Sequence, residues 1–255
     1  HAPHHSHRPA IFSELAGQRQ SDCANGPCIQ RSLAGNRTNP ICPKQLPQSI
    51  PRAVVLITMV AEMAARAGAR VVTSLLPGKG EAMWRGLAET DADVVVFLDA
   101  DLERFDPRYI PALVGPLLCD PAISFVKGAY DRDIAGDLTV GGGRVTELTA
   151  RPLLAAFWPE LSEVVQPLGG EYAGRRDLLE RLPFRRGYGV DVGLLLDTAE
   201  LLGVSSIAQV DLHERHHSHS DLQSLGLMAA EVLHTILDRL IAQGRLAADA
   251  VSSTS

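Results

Sequence analysis

Residues 93–101 read Asp-Val-Val-Val-Phe-Leu-Asp-Ala-Asp. An unbroken apolar run over 94–98 predicts a strand buried on both faces, since a strand with one wet face would alternate. Two carboxylates, Asp99 and Asp101, leave its C-terminal end, where open α/β sheets bind ligands. Oxygen ligands at that spacing suit a hard divalent cation, which can neutralise a diphosphate. A pair of loop acids capping the next helix is the plain structural alternative.

Working outward, short β-branched runs at 53–57, 70–73 and 122–127 predict further strands. Helical spacing at 60–67, 80–88 and 107–118 separates them. Such alternation predicts an α/β fold, a mixed, largely parallel sheet flanked by helices. Beyond Gly141-Gly142-Gly143 the pattern gives helices over 144–157, 175–181, 190–202 and 222–240, a strand over 207–212, and a small polar tail from 247.

The 255 residues are 45% hydrophobic and 21% charged, with a net charge of −6, which fits a packed domain. Nucleic acid is excluded as the main partner, because neutralising phosphates needs clustered Lys and Arg. No apolar run approaches the length of a membrane-spanning helix. Cys23, Cys28 and Cys42 match no zinc spacing, so free thiols and a cytoplasmic location are expected. Residues 1–52 carry many prolines and only Glu14 and Asp22 as acids, and are read as an irregular, atypical N-terminal segment.

Three further stretches can carry chemistry. In Pro77-Gly78-Lys79-Gly80-Glu81 the glycines permit close approach to a phosphate and Lys79 brings a charge to a helix start; a plain helix-initiating turn explains it equally well. Gly143, Arg144 and Thr146 have the makeup of an anion cup, or of a hinge before a helix. The cluster His213-Glu214-Arg215-His216-His217-Ser218-His219 follows an apolar strand and can complete a cation's shell, or be a solvated loop. A phosphatase using Asp99 as nucleophile is a third function class. Haloacid-dehalogenase-type enzymes of that kind usually follow Asp-x-Asp with a small hydroxyl or β-branched residue, where Leu102 and Glu103 stand.

In this order, PGKGEAMWRGLA, VVVFLDADL, LVGPLL, GGGRVTELTARPLLAA, QPLGGEYAGRR, LPFRRGYGVDVGLLLDT and IAQVDLHERHHSH resemble the retaining glucosyl-3-phosphoglycerate synthases and the related actinobacterial mannosyl-3-phosphoglycerate synthases. The resemblance implies a GT-A-like (Rossmann-like) fold over 53–246, with a nucleotide-sugar half at about 53–130 and an acceptor half at about 131–246; 247–255 is a flexible tail. It implies glucose transfer from UDP-glucose to the 2-hydroxyl of 3-phosphoglycerate, with Mg2+ or Mn2+ as cofactor and a homodimer through the C-terminal helix. GDP-mannose as donor, or a non-catalytic remnant, are the alternatives.

By matched position, Asp101 and His217 are implied as metal ligands, and Asp101, Lys79 and Arg215 as the catalytic set. The donor would meet Lys79, Asp99, Ala100, Asp101, Leu168, Gly170, Tyr188, Asp191 and Arg215. The acceptor would meet Gly143, Arg144, Thr146 and His219. The sequence departs from the family in three places. Asp191 stands where Glu is usual, His219 where Asn is usual, and residues 1–57 replace the family's first strand and its Asp-x-Gly-Ser-Thr-Asp segment.

Overall fold

A computed structural model of the chain describes residues 10–14, 30–32, 53–58, 65–66, 68–74, 76–99, 106–134, 137–139, 143–215 and 222–250. The expected strand at the acidic motif is β5 (Val94–Asp99). Val94, Val96 and Leu98 pack on one side against Leu113 and Leu117 of the helix α2 (Tyr109–Cys119), while Val95 and Phe97 enter the larger core on the other. Both faces are dry, which is why the run is continuous rather than alternating.

The remaining strands are β1 (Ala10–Glu14), β2 (Gln30–Ser32), β3 (Ala53–Thr58), β4 (Arg70–Val72), β6 (Phe125–Ile134), β7 (Asp137–Thr139), β8 (Tyr172–Arg175) and β9 (Ile207–Arg215). They form one sheet ordered β2-β9-β6-β8-β5-β3-β1-β4, with β7 paired to β6. β3 and β5 are parallel, as are β6 and β9, and β8 runs antiparallel between β5 and β6. The four strands β3, β5, β6 and β9 therefore share a direction, and their C-terminal ends meet at one edge. The sheet is mixed, as expected, but among the described strands only the β3–β5 and β6–β9 pairs are parallel, and β1, β2, β7 and β8 run the other way.

Two corrections concern strands. Irregular chain was expected throughout 1–52, yet β1 pairs with both β3 and β4, and β2 pairs with β9. Pro-rich flanks do not prevent short segments from joining a sheet, β2 at its edge and β1 between β3 and β4. β8 was read as loop and helix, because it is only four residues long and contains Gly174. A Cβ there would press on the Leu179 side chain at 3.0 Å, a tight contact that a glycine avoids.

Helices α1 (Lys79–Ala88), α3 (Arg151–Phe157), α4 (Arg176–Leu179), α5 (Val190–Leu202) and α6 (Leu222–Ala242) complete the described elements. α1, α3, α5 and α6 bury Met83, Leu87, Leu154, Leu194, Leu195, Ile236 and Leu240 in the larger core. The expected helix over 60–67 lies outside the described residues, apart from 65–66. No described helix is long and apolar enough to cross a membrane.

Candidate functional site

Elements far apart in sequence deliver charges to the C-terminal edge of the sheet. Asp99 ends β5, Lys79 opens α1, Asp191 lies in the first turn of α5 and Tyr172 opens β8. The Lys79 ammonium lies 2.9 Å from Asp99 Oδ1 and 2.8 Å from Asp191 Oδ2. The Tyr172 hydroxyl donates to the other Asp191 oxygen at 3.0 Å. Asp191 is thus buried with both carboxylate oxygens engaged, and the helix start favours its negative charge.

The electrostatics follow from this enclosure. Burial opposes the Lys79 charge, but the Asp191 and Asp99 carboxylates outweigh it and hold the ammonium above the usual lysine range. Burial pushes the Asp191 carboxyl up, and Lys79 opposes that shift. Burial also raises Tyr172 well above an ordinary phenol, with Asp191 adding to the effect.

Behind this cluster stands Lys127, fully buried in β6, whose burial pushes it down to about 8. Its ammonium donates to the Gly169 carbonyl at 2.5 Å and sits 4.6 Å from the centre of the Tyr172 ring. Gly170 then lies against Asp99, where a Cβ would come within 2.2 Å of the carboxylate. The loop before β8 is fixed by other side chains too. Arg151 donates to the Val165 carbonyl at 2.7 Å, the Val165 N–H donates to Gln209 at 2.7 Å, and Gln166 donates to the Tyr130 carbonyl at 2.8 Å.

The structure therefore brings Lys79, Asp99, Gly170 and Asp191 into contact. Leu168 is half-buried against the larger core. Tyr188 is exposed just before α5, its N–H donating to Glu231 at 2.5 Å. Gly143 precedes the helical segment at 144–157, with Arg144 exposed on its first turn and Thr146 buried. Ala100, Asp101, His217 and His219, and the side chain of Arg215, lie outside the described residues.

The glycines of the 77–81 turn also admit protein backbone. The Gly80 N–H donates to the Arg186 carbonyl at 2.8 Å, and a Cβ on Gly80 would collide with the Arg185 carbonyl at 1.6 Å. Lys127 and Tyr172 were not singled out in the sequence. A lone lysine in the apolar strand Phe-Val-Lys-Gly was the available signal, because a buried lysine demands a partner.

No family model matches the chain. It is 51% identical over 186 residues to the glucosyl-3-phosphoglycerate synthase of Mycobacterium tuberculosis (strain ATCC 25618 / H37Rv), covering 68% of this chain and 57% of the relative. The corresponding protein of Petrotoga mobilis (strain DSM 10674 / SJ95) is 51% identical over 172 residues, covering 66% of this chain and 53% of the relative. A crystal structure of the M. tuberculosis enzyme with Mn2+, UDP-glucose and phosphoglyceric acid aligns with a TM-score of 0.60 and 53% identity, covering 65% of this chain and 56% of that one. The mixed sheet with its acidic strand end is thus a GT-A glycosyltransferase fold. Over the shared span the chain is similar to the glucosyl-3-phosphoglycerate synthases, and it spans a little over half the length of these relatives.

Proposed function

We propose that the protein transfers glucose from UDP-glucose to the 2-hydroxyl of 3-phosphoglycerate with retention of configuration. The observation that carries this reading is the 51% identity over 186 residues with an enzyme of that name. The Lys79–Asp99–Asp191 cluster at the sheet edge supports it, because it is a charged, preorganised place for a donor.

In this reading Lys79 and Arg215 provide positive charge for the donor diphosphate, Asp99, Ala100 and Asp101 form the donor motif, Leu168, Gly170 and Tyr188 line the sugar and acceptor, and Asp191 stands where the family contacts the sugar hydroxyls. Gly143, Arg144, Thr146 and His219 hold the acceptor so that its hydroxyl approaches on the side the nucleotide leaves. Asp101 and His217 are the metal ligands that the family resemblance implies, beside an Asp99 whose Oδ1 meets Lys79. One carboxylate and one imidazole fit Mn2+ or Mg2+, which would add Lewis acidity at the departing diphosphate. The substrates are small molecules, and a cytoplasmic location belongs to the same reading. The partition at 52 and 246, and a homodimer through α6, belong to the same proposal.

The test is a product assay with 3-phosphoglycerate against UDP-glucose, UDP-galactose and GDP-mannose, paired with calorimetry of each donor in the presence of Mn2+. Glucosyl-3-phosphoglycerate formed from UDP-glucose is expected. Product from GDP-mannose alone would make this a mannosyltransferase. Acceptor binding with no donor binding would mark a non-catalytic remnant, which the replaced first strand favours.

A further inference from the structure

The helix that begins at Arg144 is not regular. Residues Thr146–Ala150 wind in π register, and the Arg151 N–H donates to the Thr146 carbonyl five residues back. Pro152 comes next. Inside an α-helix a proline has no N–H to give, and its ring strikes the carbonyl four residues earlier, here that of Leu148. Opening one turn to the wider register separates the two.

The core asks for the same register. Val145 and Ala150, five residues apart, are both buried, and Leu154 follows them at ordinary helical spacing. In a continuous α-helix, positions five apart stand about 140° apart, so one of the pair would turn away. The segment is also tied down from outside. Arg151 reaches Glu147 at 2.9 Å and the Val165 carbonyl at 2.7 Å, joining the π turn to the loop before β8.

We propose that Pro152 is a positioning residue for acceptor recognition, holding open the π turn that presents Arg144 and Thr146. This rests on the acceptor role given to those two residues above. A π turn is one residue inserted into an α-helix. Closing it would rotate the first turn by about 100° and shift it by about 1.5 Å relative to α3. Thr146, now buried, would leave its place, and the Arg144 guanidinium would swing with it.

The test is Pro152→Ala, with steady-state kinetics in both substrates and calorimetry with 3-phosphoglycerate. The KM for 3-phosphoglycerate is expected to rise about tenfold, while kcat at saturation and the KM for UDP-glucose stay within about twofold. A second variant adds deletion of Leu148, which is 78% exposed. That removes the inserted residue, so an unbroken α-helix returns Arg144 and Thr146 to phase and the acceptor KM falls back. An unchanged acceptor KM in Pro152→Ala overturns the proposal. So does a rise in both KM values, or one that the deletion does not reverse, since either means a general loss of fold. Wild-type protein that binds no 3-phosphoglycerate refutes the acceptor reading itself, and the inference with it.

Discussion

Lys127 and Asp191 show how single residues were legible only in part. Asp191 is one methylene shorter than the Glu usual at its position, and from the sequence that shortening bears on the sugar. The structure spends the shorter carboxylate on Lys79 and Tyr172, partners supplied by α1 and β8. No local pattern announces a contact spanning 112 residues. Lys127 carries a test of its own. Burial lowers it from 10.5 to about 8, so between those values the unfolded chain binds more protons than the folded one. Stability must then rise with pH through this window, by up to about 1.4 kcal/mol per unit, and the cost of the buried charge is complete below it. Urea unfolding at pH 7.5 and 9.5 should show that rise in the wild type and lose most of it in Lys127→Met. Equal slopes would mean that the fold leaves the Lys127 ammonium near its unfolded pKa, stabilised rather than penalised by its surroundings.

At the scale of elements, β5 and α5 were placed from sequence to within a residue, because one is a continuous apolar run and the other a largely apolar stretch bounded by Gly189 and Gly203. Strands containing glycine were cut short. β6 continues through Gly128, where a Cβ would meet Leu212 at 2.5 Å, so the glycine marks close packing rather than a strand end. β9 continues past Leu212 by way of a bulge opposite Tyr130, with His213 at φ 63°, a conformation that period-two reasoning does not anticipate. The turn proposed to hold the acceptor is marked in the sequence by its glycines and Arg144, whereas its π register has no local signature other than Pro152. Arg144→Ala should weaken 3-phosphoglycerate binding by about 1.5–3 kcal/mol, the range for a lost charge-assisted contact, and leave UDP-glucose nearly unaffected. Titration calorimetry with each substrate separates the two, and an equal loss for both would make Arg144 a support for the fold.

Across the whole molecule, the sheet direction and the edge that carries the site followed from strand–helix alternation, while β8, the reversed strand between β5 and β6, did not. The apolar stripe on the last helix divides in the same way. Leu222, Leu225, Leu233, Ile236, Leu237 and Leu240 share helical spacing and were expected to form one surface. Ile236 and Leu240 are instead core residues, with Leu225 and Leu237 packed against them. What remains outside is Leu222 at 78%, Leu227 at 68% and Leu233 at 36% exposure on one helix. At about 100° per residue these three leucines do not share one face, so the dimer through α6 rests on the proposed function, with Leu227 and Leu233 as accessible apolar side chains it could cover. A second copy related by a two-fold axis would pair whichever of them it covers with the same residues. With a chain mass of 27.4 kDa, light scattering should then give about 55 kDa. Leu227→Glu combined with Leu233→Glu leaves the core positions untouched and should give about 27 kDa with an unchanged melting temperature. A mass that stays near 55 kDa would move the interface to another face, and a variant that unfolds would place Leu233 in the core.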